Sequence, residues 1–340
     1  MKNNFRFVMA VTALVMLLLS SGSVFAYTMT GNVNNPGEYS TAGPLWNILQ
    51  GKNVTFGANS QYRYQYPCYT DSTVPCIALP QPPYVQNDIN HNTVDTNFVL
   101  VTGKDGSRAL YSVGELNPKF SPNTEEITLT CTSKNEKSRG SGCDLAGAGR
   151  SVKDIAKIEV IQAVPSIHYN GKYEGGARVP FTHFYSSVIV VSGEGITPKT
   201  YNLAALQKMT QLTFDASQST TNTVGVWKGP TLLSVLQASG VDTQNLDSYI
   251  VVQTTDGYAT VLSMYEATKL TGTQYALLAI SGLTTHKDTP NTQVINCKSM
   301  CSGNGDSGLA RLVLPKDRAA GRWLSNVSQI VVYKLHHNDH

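Results

Sequence analysis

Four segments of the 340-residue chain recur in the same order, and this repetition constrains the fold more than any other sequence feature. The opener Met29-Thr30-Gly31-Asn32-Val33, followed by Pro36-Gly37-Glu38-Tyr39-Ser40, matches Val191-Ser192-Gly193-Glu194-Gly195, followed by Pro198-Lys199-Thr200-Tyr201-Asn202. Val54 to Ser60 matches Leu212 to Gln218. FVLVTGKDGSRALYSVGEL, from Phe98, matches YIVVQTTDGYATVLSMYEA, from Tyr249. SVKDIAKIEVIQ, from Ser151, matches WLSNVSQIVVYK, from Trp323. The shared order predicts two homologous modules, 27–163 and 188–335, joined by a linker over 164–187 that is rich in Gly, Tyr and Pro. A chain of this length suits two cores better than one.

Local patterns give each module its class. Two apolar runs flank Lys104-Asp105-Gly106 in the first module and Thr255-Asp256-Gly257 in the second. Asp-Gly between β-rich runs signals a hairpin. The β-branched runs Ile158–Ile161 and Ile330–Val332 predict a closing strand in each module. In the second module, Gly229 to Gly240 carries proline near a helix start, glycine at its end and leucines at helical spacing. Leu203–Met209 and Pro44–Gln50 are shorter helix candidates. A Tyr/Pro/Asn-rich insert from Tyr62 to Asn97 interrupts the first module and offers a contact surface or a loop packed on its own module. The expected class is α+β, as two tandem, mostly β modules.

The N-terminus indicates where the chain acts. Lys2 and Arg6 precede an apolar run from Phe7 to Leu19, then Ser20 to Ser23 and Val24-Phe25-Ala26. A basic start, a short apolar middle and small residues at the cut define a signal peptide over 1–26. No later apolar run reaches spanning length, so the mature chain is expected to have no transmembrane segment and to be secreted or periplasmic. The six cysteines are even in number, as disulfides in an exported chain would require. Sequence proximity pairs Cys68 with Cys76, Cys131 with Cys143 and Cys297 with Cys301. The rival for the last pair is a soft metal site, with Met300 beside Cys301.

The second module resembles the molybdopterin-binding domain of the sulfite oxidase-like oxidoreductases. The matching pieces, in order, are TPKTYNLAALQKMTQLTF, GVWKGPTLLSVLQASGVD, SYIVVQTTDGYATVLSMYEA, YALLAISG and ARLVLPKDRAAGRWLSNVSQIVV. The Trp227-x-Gly229-x-x-Leu232 spacing and the run Arg311-Leu312-Val313-x-Pro315 are the more specific elements. The first module shares the resemblance through the internal repeat. Such a resemblance implies a mixed sheet with short helices, molybdenum held by a pterin dithiolene, and a two-electron reaction such as oxygen-atom transfer. It also implies a cysteine ligand in the loop after the early strand. That loop is expected at Thr213–Asn222, which holds Ser217 and no cysteine. A serine hydroxyl is a poor soft-metal ligand beside a thiolate. The resemblance further implies a basic loop for the pterin phosphate, here Lys316–Trp323, with Arg318 and Arg322 as the grips. A solvated turn is the other reading of those two arginines.

Other chemistries find less support. His91, His168, His183 and His286 show no metal spacing, and the terminal His336–His340 reads as a tail. Gly305-Asp306-Ser307-Gly308 lacks a histidine and an aspartate in protease-like contexts, and no G-x-S-x-G occurs. A net charge of +3 with 14% charged residues gives no ground for nucleic-acid binding. Three function classes remain open. They are an exported binding or assembly protein acting on an unidentified protein or small molecule without a metal site, an active molybdopterin-dependent oxidoreductase, and a surface or filament subunit.

Overall fold

The computed structural model describes residues 27–33, 35–51, 97–118, 120–121, 126–132, 142–163, 186–218, 223–254, 259–269, 275–286, 295–296, 308–318 and 322–335. The signal segment, the Tyr/Pro-rich insert, most of the expected linker and the histidine tail lie outside them, as do Cys68, Cys76, Cys297 and Cys301.

The first module runs β1 (Tyr27–Gly31), β2 (Gly37–Tyr39), β3 (Gly43–Pro44), α1 (Leu45–Gly51), β4 (Asn97–Gly103), β5 (Arg108–Ser112), α2 (Val113–Leu116), β6 (Thr128–Thr132), β7 (Gly142–Gly147), β8 (Arg150–Val152) and β9 (Ile155–Gln162). The second runs β10 (Ile189–Gly193), β11 (Ile196–Tyr201), α3 (Leu203–Gln207), β12 (Leu212–Gln218), β13 (Thr223–Gly229), α4 (Leu232–Ala238), β14 (Ser248–Thr254), β15 (Ala259–Ser263), α5 (Met264–Thr268), β16 (Leu277–Ala279), β17 (Ser281–His286), β18 (Ile295–Asn296), β19 (Arg311–Val313) and β20 (Val327–Lys334). The chain is α+β and mostly strand, as its patterning implied.

Each module is organised by a five-stranded sheet, ordered β2-β1-β9-β4-β5 in the first and β11-β10-β20-β14-β15 in the second. In both, the opening and closing strands pair parallel and the other neighbours antiparallel. Both carry a register shift at the same place, Thr102/Gly103 against β9 and Gln253/Thr254 against β20. The repeated glycine at the end of each opening strand has a steric reason. A Cβ at Gly31 would collide with the carbonyl of Val160, and one at Gly193 with that of Val332. The first Asp-Gly turn forms as read: Gly106 has φ 82°, and the Ser107 N–H donates to Asp105 Oδ1 at 2.9 Å. The second turn, 255–258, lies outside the described residues, although β14 and β15 pair on either side of it.

The three expected helices form as α1, α3 and α4. Thr231 caps α4 by accepting from the Ser234 N–H at 3.0 Å, and Gly240 follows its end with φ 79°. A correction falls on Thr213–Asn222, expected as a loop. Leu212–Gln218 is a strand, paired residue by residue with Thr223–Gly229. Its β-branched and aromatic residues gain ladder hydrogen bonds and an inward face, with Phe214 and Ala216 buried. Beyond the main sheets the modules differ. The first adds the sheet β3-β6-β7-β8, the second the sheets β12-β13-β17-β18 and β16-β19. Cys131 and Cys143 form a disulfide across β6 and β7, at directly paired positions with Cα atoms 4.1 Å apart.

Both main sheets bury both faces. Val99 and Val101 face the core of their own module, where Leu45, Ile48 and Leu49 of α1 cover them. Phe98 and Leu100, the alternate residues, pack instead with Leu110, Val251, Ala259 and Val261 in a cluster shared by the two modules. One ring contact joins repeat-equivalent residues, and a second extends it within the second module. Phe98 stacks on Tyr249 with ring centroids 4.6 Å apart, and Tyr249 stacks on Tyr333 at 5.1 Å. This two-sided burial explains why β4 and β14 read as continuous apolar runs rather than alternating ones. At the rim, Arg108 of the first module pairs with Asp247 of the second at 2.8 Å.

Candidate functional site

Where β5 and β15 end, each chain segment turns into a short helix through Ser-x-x-Glu. Ser112 Oγ accepts from the Glu115 N–H at 3.0 Å, and the Glu115 carboxylate accepts from the Ser112 N–H at 2.7 Å. This is a capping box, which satisfies donors that a helix start leaves open. Ser263 Oγ likewise accepts from the Glu266 N–H at 3.0 Å. The two glutamates occupy equivalent positions in the repeat, and the packing of the sheets brings them to one buried spot between the modules.

Two arginines meet them there. Arg150, on β8, lies between the rings of Tyr111 and Tyr265, 3.8 and 4.4 Å from their centroids. Its Nη2 pairs with Glu115 Oε2 at 2.6 Å, and its Nη1 donates to the Leu110 carbonyl at 2.5 Å and to Ser263 Oγ at 3.2 Å. Arg322 is 1% exposed. Its Nε and Nη2 donate to the two oxygens of Asp317 at 2.9 and 2.6 Å, and Nη2 also pairs with Glu266 Oε1 at 2.7 Å. Glu266 Oε2 accepts from Ser112 Oγ of the other module at 2.7 Å. Each arginine thus packs across the boundary, Arg150 on Tyr265 and Arg322 against Gly114, the residue equivalent to Tyr265.

Burial would lower the pKa of Arg322, but Asp317 and Glu266 outweigh it and hold the guanidinium protonated well beyond its ordinary range. Burial is the largest single influence on Arg150 and pulls it down, but Glu115, joined by Tyr111 and Glu266, raises it overall. Burial pushes the Glu266 carboxyl up; Arg322 opposes the rise and Glu115 adds to it. Tyr111 is likewise raised, by burial first, with Arg150 opposing. Beside these groups lies a cavity of about 30 Å³, lined by Ser121, Tyr265, Glu266, Lys316, Asp317 and Arg322 among others. That is room for a water or two, and none for a cofactor.

The residues singled out from sequence are not brought together. Ser217 lies in β12, opposite Val224 of β13. Arg318 is exposed, and its N–H donates to the Phe120 carbonyl of the first module at 2.7 Å. Arg322 points the other way, into the ionic cluster. Glu115, Arg150, Glu266 and Asp317 were not among the candidates. The sequence signal for two of them was the pair of Ser-x-x-Glu capping boxes at matching places in the repeat. No single-sequence pattern marks Arg150 or Asp317. A second feature escaped too. Arg311, on β19, has its guanidinium 5.4 Å over the ring of Trp227, and neither Arg311 Nε nor Trp227 Nε1 has a hydrogen-bond partner among the described residues. Burial lowers the Arg311 pKa to about 10, which leaves it cationic at neutral pH.

Among the described residues no group of three or more His, Cys, Asp or Glu is placed to hold a metal, and no helix is long and apolar enough to cross a membrane. No family model matches the chain, and no curated protein matches it. Among solved structures similar to it is the sulfane dehydrogenase SoxCD from Paracoccus pantotrophus, at 13% identity and a TM-score of 0.31. The match covers 45% of this chain and 39% of that one, so the chain spans about two fifths of that protein. An overlap of this extent assigns no activity.

Proposed function

We propose that the protein is an exported, non-catalytic binding or assembly protein, built from two modules of a sulfite oxidase-like fold that has lost its metal chemistry. The observation that carries this reading is the placement of Arg322. The resemblance would have it hold a pterin phosphate, yet its Nε and Nη2 are committed to Asp317 and Glu266 in the boundary between the modules. Freeing it would strand two buried carboxylates. Ser217 supplies no soft anionic sulfur, and the cavity beside Arg322 holds water at most. These residues do not fit a molybdenum pterin, and no redox step is derived from them. Export rests on the signal pattern of residues 1–26. Elemental analysis of protein purified from its native host tests the reading. Molybdenum near one equivalent, lost on changing Cys297 or Cys301 to serine, would overturn it and restore the oxidoreductase. Absence of the metal supports it.

One observation favours a ligand over a purely structural partner. Arg311 Nε and Trp227 Nε1 are both donors, both buried and both without an acceptor among the described residues. A buried unpaired donor costs roughly 1–3 kcal/mol, which an anionic group placed there would recover. Titration calorimetry with phosphate, sulfate and acetate checks this. Heat of binding that disappears in Arg311→Met supports the anion site; none with the native protein removes it.

A further inference from the structure

We propose that Glu266 is a proton-binding site that sets how tightly the two modules dock, with acid closing the contact. The argument begins from geometry and charge. Three buried carboxyls, Glu115, Glu266 and Asp317, converge with two buried guanidiniums, Arg150 and Arg322. Glu115 is held by both nitrogens of Arg150, at 2.6 and 3.1 Å. Asp317 is held by Nε and Nη2 of Arg322, at 2.9 and 2.6 Å. Glu266 has no guanidinium of its own. It shares Nη2 of Arg322 with Asp317 and reaches Ser112 Oγ across the boundary.

The ionised cluster therefore holds one negative charge in excess, in a place where charge is costly. Lys316 lies beside the cavity but is only partly buried, so solvent screens what it offsets. The rings of Tyr111 and Tyr265 also face the cluster, and burial raises the Tyr111 hydroxyl further from ionisation. A proton on Glu266 removes the excess charge and keeps every contact. The protonated oxygen donates to Ser112 Oγ, whose hydroxyl can turn to accept. Arg322 keeps its two bonds to Asp317.

The direction of the pH effect follows. Burial raises the folded carboxyl of Glu266 above its ordinary, unfolded value, against the pull of Arg322. Its contribution to docking is then fully present below the unfolded value and is lost as pH rises through the folded one. Asp317 is raised in the same sense, by burial against Arg322, so a variant must separate the two.

Hydrogen exchange of the amides of β5 and β15, followed from pH 8 to pH 5 on the full chain, reads the opening of the contact. The opening constant, corrected for intrinsic exchange, should fall on acidification, by at most tenfold per pH unit for one proton. In Glu266→Gln the pH dependence should shrink and the constant stay near the native low-pH value, because glutamine keeps the side-chain length and mimics the protonated acid. A glutamine variant that keeps the native pH dependence, or native protein that opens further in acid, overturns the proposal. If the variant does not fold, carbon-detected NMR titration of Glu266 in the native protein decides. A midpoint above the ordinary ~4.3 supports the site, and one at or below it removes it.

Discussion

Replacing Arg322 by methionine should destabilise the protein severely at neutral pH and only mildly in acid. Methionine keeps much of the side-chain volume against Phe120 and Gly114 but removes the charge shared by Asp317 and Glu266. Two carboxylates, 2% and 8% exposed, would then face one another across the small cavity. Each can escape by binding a proton. At pH 7 an acid of ordinary pKa near 3.9 is protonated at a cost of about 4 kcal/mol, being some three units away at 1.36 kcal/mol each. That caps the penalty per group, and water in the cavity and Lys316 relieve part of the second. The expected loss is about 3–5 kcal/mol, the range for breaking a buried ion pair from one side. At roughly 2 °C per kcal/mol for a chain of this size, Tm should drop by about 6–10 °C at pH 7. Near pH 4.5 the protonation cost shrinks below about 1 kcal/mol per group, and most of the deficit should vanish. Combining Arg322→Met with Glu266→Gln and Asp317→Asn should recover stability at pH 7, since no charge is left stranded. Calorimetry and denaturant titration at both pH values measure this. A loss under about 1 kcal/mol at pH 7, unchanged at pH 4.5, would refute the reasoning and return Arg322 to a solvated turn.

The interface makes further outcomes specific. Gly114→Ala would place a Cβ 2.5 Å from Arg322 Cδ and Nη1, and because that guanidinium is held by two carboxylates it should cost about 1–3 kcal/mol, measured by thermal unfolding. Phe98→Ala should cost about 3–5 kcal/mol and speed exchange at the module boundary, since the ring is buried against Tyr249. Changing Cys131 and Cys143 together to serine should lose about 2–3 kcal/mol, as expected for a bridge spanning 12 residues, and reducing agent should have no further effect at that site by denaturant titration. Thr231→Ala should cost about 1 kcal/mol through the lost cap of α4.

Much of the fold was legible in the residues, because strands and caps are local. The Asp105-Gly106 turn, the closing strands and the helix after Gly229 follow from β-branched runs, turn residues and helix punctuation within a few positions of one another. The two five-stranded sheets repeat strand order, orientation and register shift, in step with the order of the matching segments. The strand at Leu212–Gln218 was not legible, because Asp215, Ser217 and Gln218 suit a loop equally well until β13 supplies the partner ladder. Sequence also could not say which face of β4 and β14 meets what. A continuous apolar run is buried on both sides, but only the docking of one sheet on the other sets Phe98 on Tyr249. The ionic site shows the division most sharply. The sequence alone placed Ser112-x-x-Glu115 and Ser263-x-x-Glu266 at matching positions, each a helix cap by its spacing. Only tertiary structure brought these caps together, supplied Arg150, Arg322 and Asp317 from distant strands and loops, and buried them beside a cavity with room for a water or two. In a desolvated place the number of nearby charges of each sign fixes what every group does, and that number is a property of the packing rather than of any stretch of chain.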